Sequence, residues 1–180
     1  VLLETLPSEV WDFEMLLRHT WKSGVCLAVR FFCVFHFIQS DDSPQKTGGD
    51  WALSRNGCVF LENTQDVSVE ESHFLRIDGN GILVSGFNRN ARIYSNEFNF
   101  IGDTAIGLWG YTNGFDGRNK EQPRGTKIVG NICHELGSYQ LQSACVFQAK
   151  SAQTTISKNI FFNGPRSCLL YTSPSPRDIG

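Results

Sequence analysis

The stretch that decides the fold is ARIYSNEFNFI, residues 91–101. Three further segments match it position by position: VSVEESHFLRI at 67–77, TKIVGNICHEL at 126–136 and TTISKNIFFNG at 154–164. Each has a β-branched apolar residue, then an Asn or Ser three positions later, then an aromatic residue or Cys two positions after that. Self-similarity of this kind predicts a repeat architecture, in which one short unit stacks on copies of itself.

The matched positions form three columns across the four segments. They are Val69, Ile93, Ile128 and Ile156; Ser72, Asn96, Asn131 and Asn159; and Phe74, Phe98, Cys133 and Phe161. The Asn/Ser positions are 24, 35 and 28 residues apart, which indicates insertions between units of one basal length. Because Asn can hydrogen-bond the backbone of a turn, stacked units predict an asparagine ladder.

A second set of short apolar segments accompanies the repeats, at 58–62, 81–85, 105–109 and 144–148. Each alternating segment is too short for a stable helix or hairpin. Stacking in parallel would give every strand neighbours on both sides and would build one continuous core. A propeller or sandwich would need hairpin signals, which the sequence lacks.

Composition limits the classes of function. The 180 residues are 41% hydrophobic and 19% charged, with a formal net charge of -2. This excludes a charge-rich disordered chain and argues against a nucleic-acid partner bound through bulk positive charge. The cysteines follow neither a disulfide framework nor a zinc-site spacing, and we expect Cys58, Cys133 and Cys145 to be free, buried thiols.

The columns resemble the repeat of right-handed parallel β-helix proteins in the pectin-lyase-like superfamily. Residues 48–166 are also similar to a group of right-handed β-helix proteins with no assigned reaction, through GGDWALSRNGCVFLENT, GLWGYT, QPRGT, HELG, FQAKSAQTT and FFNGPR. The resemblance implies an all-β fold, a right-handed single-stranded parallel β-helix (solenoid), truncated at the C-terminal end.

Three regions are expected. Residues 1–45 contain the apolar run 25–38, which is too short to span a membrane and is interpreted as a cap, a signal-like segment or translated intron. Residues 46–167 carry the stacked turns. Residues 168–178 read CLLYTSPSPRD, which resembles the translation of a DNA-sequencing adapter, so 168–180 are interpreted as foreign sequence.

The candidate site residues are polar groups near the third and fourth repeats. His134 is followed by Glu135, and the two are interpreted as a general base with its orienting carboxylate or, alternatively, as a surface pair. The resemblance implies that cations neutralise a uronate while a base removes a proton, and Lys150 and Arg124 are the cations assigned here. The insertion at 111–124 adds predicted substrate contacts, and the full binding set is Trp109, Tyr111, Asp116 and Arg166. Trp109 and Tyr111 are interpreted as part of a platform on which a sugar could stack, with packing in the core as the alternative for Trp109.

The predicted function is to bind or process an extended polysaccharide, as a lyase, epimerase or hydrolase. The alternative is a non-catalytic adhesin or scaffold module, in which these residues would be scattered over different faces. No metal site is predicted; the cofactor is left open, with calcium suggested by analogy. No membrane span is expected, an extracellular or cell-surface location is favoured, and the oligomeric state is left open.

Overall fold

The computed structural model describes residues 30–31, 54–111 and 117–172. These residues form fifteen strands in three sheets, and no helix occurs among them. The described protein is therefore all-β. Almost all of the 1–45 region lies outside the described residues.

The first sheet, sheet A, has seven strands. They are β1 (Arg30–Phe31), β2 (Val59–Gln65), β5 (Ile82–Arg89), β8 (Ile106–Trp109), β9 (Pro123–Arg124), β12 (Val146–Ala149) and β15 (Leu169–Thr172). All of its pairings are parallel except that of β1, which lies antiparallel to β2.

The other two sheets have four strands each, and all of their pairings are parallel. Sheet B contains β3 (Ser68–Glu70), β6 (Arg92–Tyr94), β10 (Lys127–Val129) and β13 (Thr155–Ser157). Sheet C contains β4 (His73–Ile77), β7 (Glu97–Ile101), β11 (Ile132–Leu136) and β14 (Ile160–Phe161). The chain visits the sheets in the order A, B, C, so each repeat contributes a strand to each of them.

The predicted columns are confirmed by the strand register. Ile93 pairs with Val69 on one side and Ile128 on the other, and Ile128 pairs in turn with Ile156. Phe74, Phe98, Cys133 and Phe161 are likewise register partners in sheet C. These side chains form one core together with Leu61, Ile82, Ile106 and Val146 from sheet A, in which Ile156 and Phe161 are only partly buried.

The asparagine ladder is also confirmed. Asn96 Nδ2 donates to Asn131 Oδ1 at 3.0 Å, and Asn131 Nδ2 donates to Asn159 Oδ1 at 3.0 Å. Each Oδ1 also accepts the backbone N–H of the preceding ladder residue, beginning with Ser72. One side chain therefore satisfies polar groups of two neighbouring turns inside the stack, where water cannot reach them.

The residue before each ladder position turns the chain from sheet B into sheet C. Glu71, Ser95, Gly130 and Lys158 occupy these positions, with φ values of 49°, 54°, 71° and 57°. Left-handed backbone is unfavourable for residues with a Cβ, so it persists where the surrounding structure holds it. Here the hydrogen bonds of the ladder residue that follows supply that restraint.

The cysteine prediction is confirmed for the core. Cys58, Cys133 and Cys145 are free and buried, and they pack as small apolar side chains. Burial of the Cys133 thiol raises its pKa, which disfavours the reactive thiolate. Cys168 is free and exposed, at the start of the segment interpreted as foreign, and the following strand β15 pairs with β12.

Candidate functional site

The four predicted catalytic residues do not form one group. His134 and Glu135 lie on β11 in sheet C, whereas Arg124 lies on β9 in sheet A and Lys150 directly follows β12 in sheet A. No hydrogen bond or ion pair joins any two of these four described side chains. Arg124 Nε instead donates to Gln153 Oε1 at 3.0 Å.

The carboxylate beside His134 is Glu97, not Glu135. His134 Nε2 lies 3.4 Å from Glu97 Oε1, on the neighbouring strand β7. Glu135 instead has left-handed backbone, with a φ of 52°, and its Oε1 accepts a 2.7 Å hydrogen bond from Asn163 Nδ2. Side chains of adjacent residues in a strand point to opposite faces, and at an irregular position they also point away from each other. His134 and Glu135 therefore have different partners although they are neighbours in the sequence.

Glu97 also faces a second histidine. His73 Nε2 is 3.9 Å from the same Oε1 atom, and His73 and Glu97 are register partners on β4 and β7. His134 is held on the other side by Phe162, whose ring is parallel to the imidazole with centroids 4.8 Å apart. A shallow groove lined by Glu71, His73, Glu97 and Ile132 opens beside this pair. The outer surface of sheet C therefore carries a positioned imidazole with a carboxylate partner.

Trp109 is not an open stacking platform. Its exposed fraction is 8%, and it packs with Leu83, Phe147 and Ala149 in a second apolar cluster on sheet A. The Arg55 guanidinium lies over its ring, 3.8 Å from the centroid. A sugar ring cannot stack on a face that is already covered.

Tyr111 belongs to a polar cluster around the same arginine. Arg55 lies 4.0 Å from the Tyr111 ring centroid and donates to Ser85 Oγ at 2.8 Å. The Tyr111 hydroxyl donates to Glu62 Oε1 at 2.7 Å, and Ser85 Oγ donates to the same atom at 3.0 Å. Because the Tyr111 side chain remains 46% exposed, this cluster can contact a ligand from one side. Asp116 lies outside the described residues.

Arg124 belongs to a group of cations where sheet A turns into sheet B. Arg89 and Arg124 are register partners on β5 and β9, and Arg92 and Lys127 are register partners on β6 and β10. Lys150 lies two residues before Ala152, whose backbone pairs with Arg124. We call these five residues the basic corner.

The cations of the basic corner lack acidic partners. Among the described residues, no carboxylate lies within ion-pair distance of any of the five. Burial, and secondarily repulsion by the charge of Arg124, lowers the pKa of Arg89. Arg89 is held in place by the carbonyl groups of Lys120 and Gln122, at 2.9 and 2.8 Å. Like charges held together without a counter-ion favour an anionic ligand.

The remaining candidate, Arg166, is exposed near the last described turn and is not part of the basic corner. In residues 30–31, 54–111 and 117–172, no three His, Cys, Asp or Glu side chains are grouped so that they could hold a metal ion. Over the same ranges there is no helix of the length and apolar character needed to cross a bilayer.

Sequence reasoning missed Glu97, His73, Arg89 and Arg92. The signal was present in the columns, since His73 and Glu97 each follow a ladder position, and Arg92 and Lys127 each precede a core isoleucine.

Comparison with other proteins adds no assignment: no family model, no curated protein and no solved structure matches the chain.

Proposed function

We propose that the three sheets are the faces of a right-handed parallel β-helix, and that the basic corner binds an acidic polysaccharide along it. The proposal of a β-helix is supported by the order A, B, C in every repeat and by the unbroken parallel register from β3 to β13 and from β4 to β14. In such a stack, each turn offers the same surface position to a polymer that runs across the strands.

The observation that carries the binding proposal is the pairing of cations between consecutive turns. Parallel strands are about 4.8 Å apart, so Arg92 and Lys127 repeat a positive charge at roughly that interval, as do Arg89 and Arg124. A uronate polymer carries a carboxylate on each sugar, and a guanidinium can bind a carboxylate through two parallel hydrogen bonds. The corner therefore supplies matched charges to several sugars at once.

A binding measurement with two polymers tests this proposal. We expect the protein to bind a polyuronate and not a neutral glucan in isothermal titration calorimetry, with affinity that falls as salt is raised. Arg124→Gln combined with Lys127→Gln should weaken polyuronate binding at least tenfold, since both substitutions remove exposed charges without opening the core.

The matched control is Lys158→Gln, which removes an exposed cation at the opposite end of the sheet B strands. It should retain wild-type affinity for the polyuronate. If the wild-type protein, the double variant and Lys158→Gln bound the polyuronate with equal affinity, the basic corner would be excluded as the site. Binding of the neutral glucan as tight as that of the polyuronate would exclude it too, and either result would favour the alternative of a scaffold module.

Processing of the polymer is a second candidate function, and the His134–Glu97 pair favours it. A carboxylate beside an imidazole fixes the orientation of the ring, so that His134 is positioned to accept a proton from a bound sugar. With a polyuronate substrate, formation of an unsaturated product should be lost in His134→Ala and strongly reduced in Glu97→Gln. Glu135→Gln should have little effect, because that side chain faces Asn163; absence of product with the wild-type protein would remove this candidate.

A further inference from the structure

The outer face of sheet B carries a regular grid of side chains. In β6 the middle residue, Ile93, is fully buried in the core. Side chains alternate between the two faces of a strand, so the first and third residues point outward together. In β6 and β10 the first residues, Arg92 and Lys127, are accordingly exposed, and the third residues, Tyr94 and Val129, are half-buried.

The strand register places two pairs of side chains next to each other on this face. Arg92 and Lys127 are register partners on β6 and β10, and so are Tyr94 and Val129. Partners on neighbouring strands are about 4.8 Å apart, and the two pairs are separated by roughly 6.6 Å along the strands. A pair of cations therefore lies beside an apolar pair, within reach of one sugar ring and the carboxylate that it carries.

The polar groups of this grid are available to a ligand. Over the described ranges, the side chains of Arg92, Lys127 and Tyr94 have no hydrogen-bond or ion-pair partner. The Tyr94 ring differs in this respect from that of Trp109, which the Arg55 guanidinium covers. Sheet B thus offers an aromatic ring that another ring can contact, together with two unpaired positive charges.

Glu70 borders the grid on the side opposite to β10. It is the register partner of Tyr94 on β3, and its Oε1 accepts a hydrogen bond from Ser68 Oγ. A carboxylate at this position repels an anionic group and accepts hydrogen bonds from hydroxyl groups. A sugar acid on Tyr94 would therefore direct its carboxylate towards Arg92 and Lys127, and its hydroxyl groups towards Glu70.

We infer that one uronate ring lies flat on Tyr94 and Val129, with its carboxylate bound by Arg92 and Lys127. This inference rests on the proposed function and narrows the ligand to a uronate whose ring has an open face of C–H groups, as it has when all ring substituents are equatorial. Such a face is apolar, so covering the tyrosine ring removes apolar surface of both partners from water. The cations select the anionic sugar over its neutral counterpart.

Two tetrasaccharides and two substitutions of Tyr94 test this inference. The tetramer of β-1,4-linked glucuronate has equatorial substituents, and the tetramer of β-1,4-linked glucose has the same ring faces without carboxylates. In isothermal titration calorimetry, the wild-type protein should bind the glucuronate tetramer at least about tenfold more tightly. Tyr94→Ala should weaken that binding at least about fivefold, and Tyr94→Phe should restore most of the loss because it keeps the ring.

Saturation-transfer NMR adds a readout that a merely structural role of Tyr94 would not change. The C–H protons of the bound sugar should receive saturation from the wild-type protein and from Tyr94→Phe, and much less from Tyr94→Ala. The matched control is Tyr139→Ala, which removes a tyrosine that is 61% exposed in the loop after β11 and should bind like the wild-type protein. If circular dichroism shows that Tyr94→Ala does not fold, Arg92→Gln decides, since it leaves the ring in place and should weaken tetramer binding at least about fivefold.

The outcomes separate this inference from the proposed function. If the wild-type protein bound neither the polyuronate nor the glucuronate tetramer, both would fail. If polyuronate binding depended on Arg124 and Lys127 but Tyr94→Ala bound the tetramer normally, only the inference would be overturned. A wild-type dimer in sedimentation velocity that Tyr94→Ala dissociates would also overturn it, because a second copy of the chain would then cover this face.

Discussion

Asp103 is the one charged side chain that is buried among the described residues, with an exposed fraction of 4%. Its Oδ2 accepts a 3.3 Å hydrogen bond from Ser54 Oγ, whereas its Oδ1 has no partner. Burial outweighs the hydrogen bonds and raises the pKa of Asp103 from 3.8 to about 6. A carboxylate in this position is less stable in the folded protein than in the unfolded chain.

This residue predicts a pH dependence of stability. The pKa is higher in the folded state, so the folded protein binds this proton more tightly, and the contribution of Asp103 to stability is fully present below about pH 4. The free energy of unfolding should fall as the pH rises from about 4 to about 6, by about 3 kcal/mol in total, and then level off. Urea unfolding of the wild-type protein and Asp103→Asn across this range measures the difference.

The Asp103→Asn substitution supplies the control, because it puts an amide that does not titrate in place of the carboxyl group. The difference in free energy of unfolding between this variant and the wild-type protein should be flat in pH above about 6 and change sharply below it. A difference that is constant from pH 4 to pH 7 would show that Asp103 does not titrate in this range.

For individual residues, the sequence predicted which side chains lie in the core more accurately than it predicted which polar side chains contact each other. Val69, Phe98 and Cys133 were assigned correctly because apolar side chains must be inside, whatever the details of the turns. The partner of His134 was assigned wrongly because neighbours across a sheet come from a different turn. To identify Glu97 as the partner of His134, one must know the strand register between turns. The asparagine column gives this register only after the turns have been aligned with one another.

The asparagine ladder joins neighbouring turns at positions between the short strands. Asn131 accepts from the backbone and side-chain amides of Asn96, both at 3.0 Å, and donates to Ile93 O and Asn159 Oδ1. Its side chain is fully buried between β10 and β11. Loss of the side chain would leave these partners buried without hydrogen bonds, and each such group costs about 1–3 kcal/mol.

Asn131→Ala should therefore lower the free energy of unfolding by about 3 kcal/mol or more, as measured by urea denaturation. Asn163→Gly is the control, because Asn163 is exposed, its one hydrogen bond, to Glu135, is at the surface, and Gly tolerates the left-handed backbone at this position (φ 47°); it should change stability by less than about 1 kcal/mol. Equal effects of the two substitutions would contradict a ladder that stabilises the stack.

Strand positions were predictable because the β-branched and aromatic residues alternate with polar ones in all four repeats. The short strand β9 was not predicted, since Pro123 and Arg124 carry no apolar alternation of their own. Its place is set by register with Asn88 and Arg89 of β5, which is a tertiary effect. The basic corner depends on this strand, and for that reason Arg89 was missed as the neighbour of Arg124.

In the whole molecule, repetition allowed an all-β fold with parallel sheets to be predicted from one sequence, whereas the arrangement of polar side chains on those sheets was not predicted. The same columns occur in all four repeats, so each repeat supports the alignment of the others. The spacing of the repeats predicts that equivalent strands pair in parallel. A surface group such as the basic corner draws its residues from several turns, with Arg89 and Arg92 in one and Arg124 and Lys127 in the next, so it is recognised only after the turns have been aligned.

Register between turns survives large differences in loop length. Consecutive ladder residues are separated by 24, 35 and 28 positions, yet β6, β10 and β13 remain aligned residue for residue. Extra residues therefore leave the sheets untouched and emerge at the corners. The part of the chain after Tyr111 and before Lys120 could accordingly be exchanged for peptides of other lengths and chemistries, which would make this scaffold a carrier for grafted recognition loops.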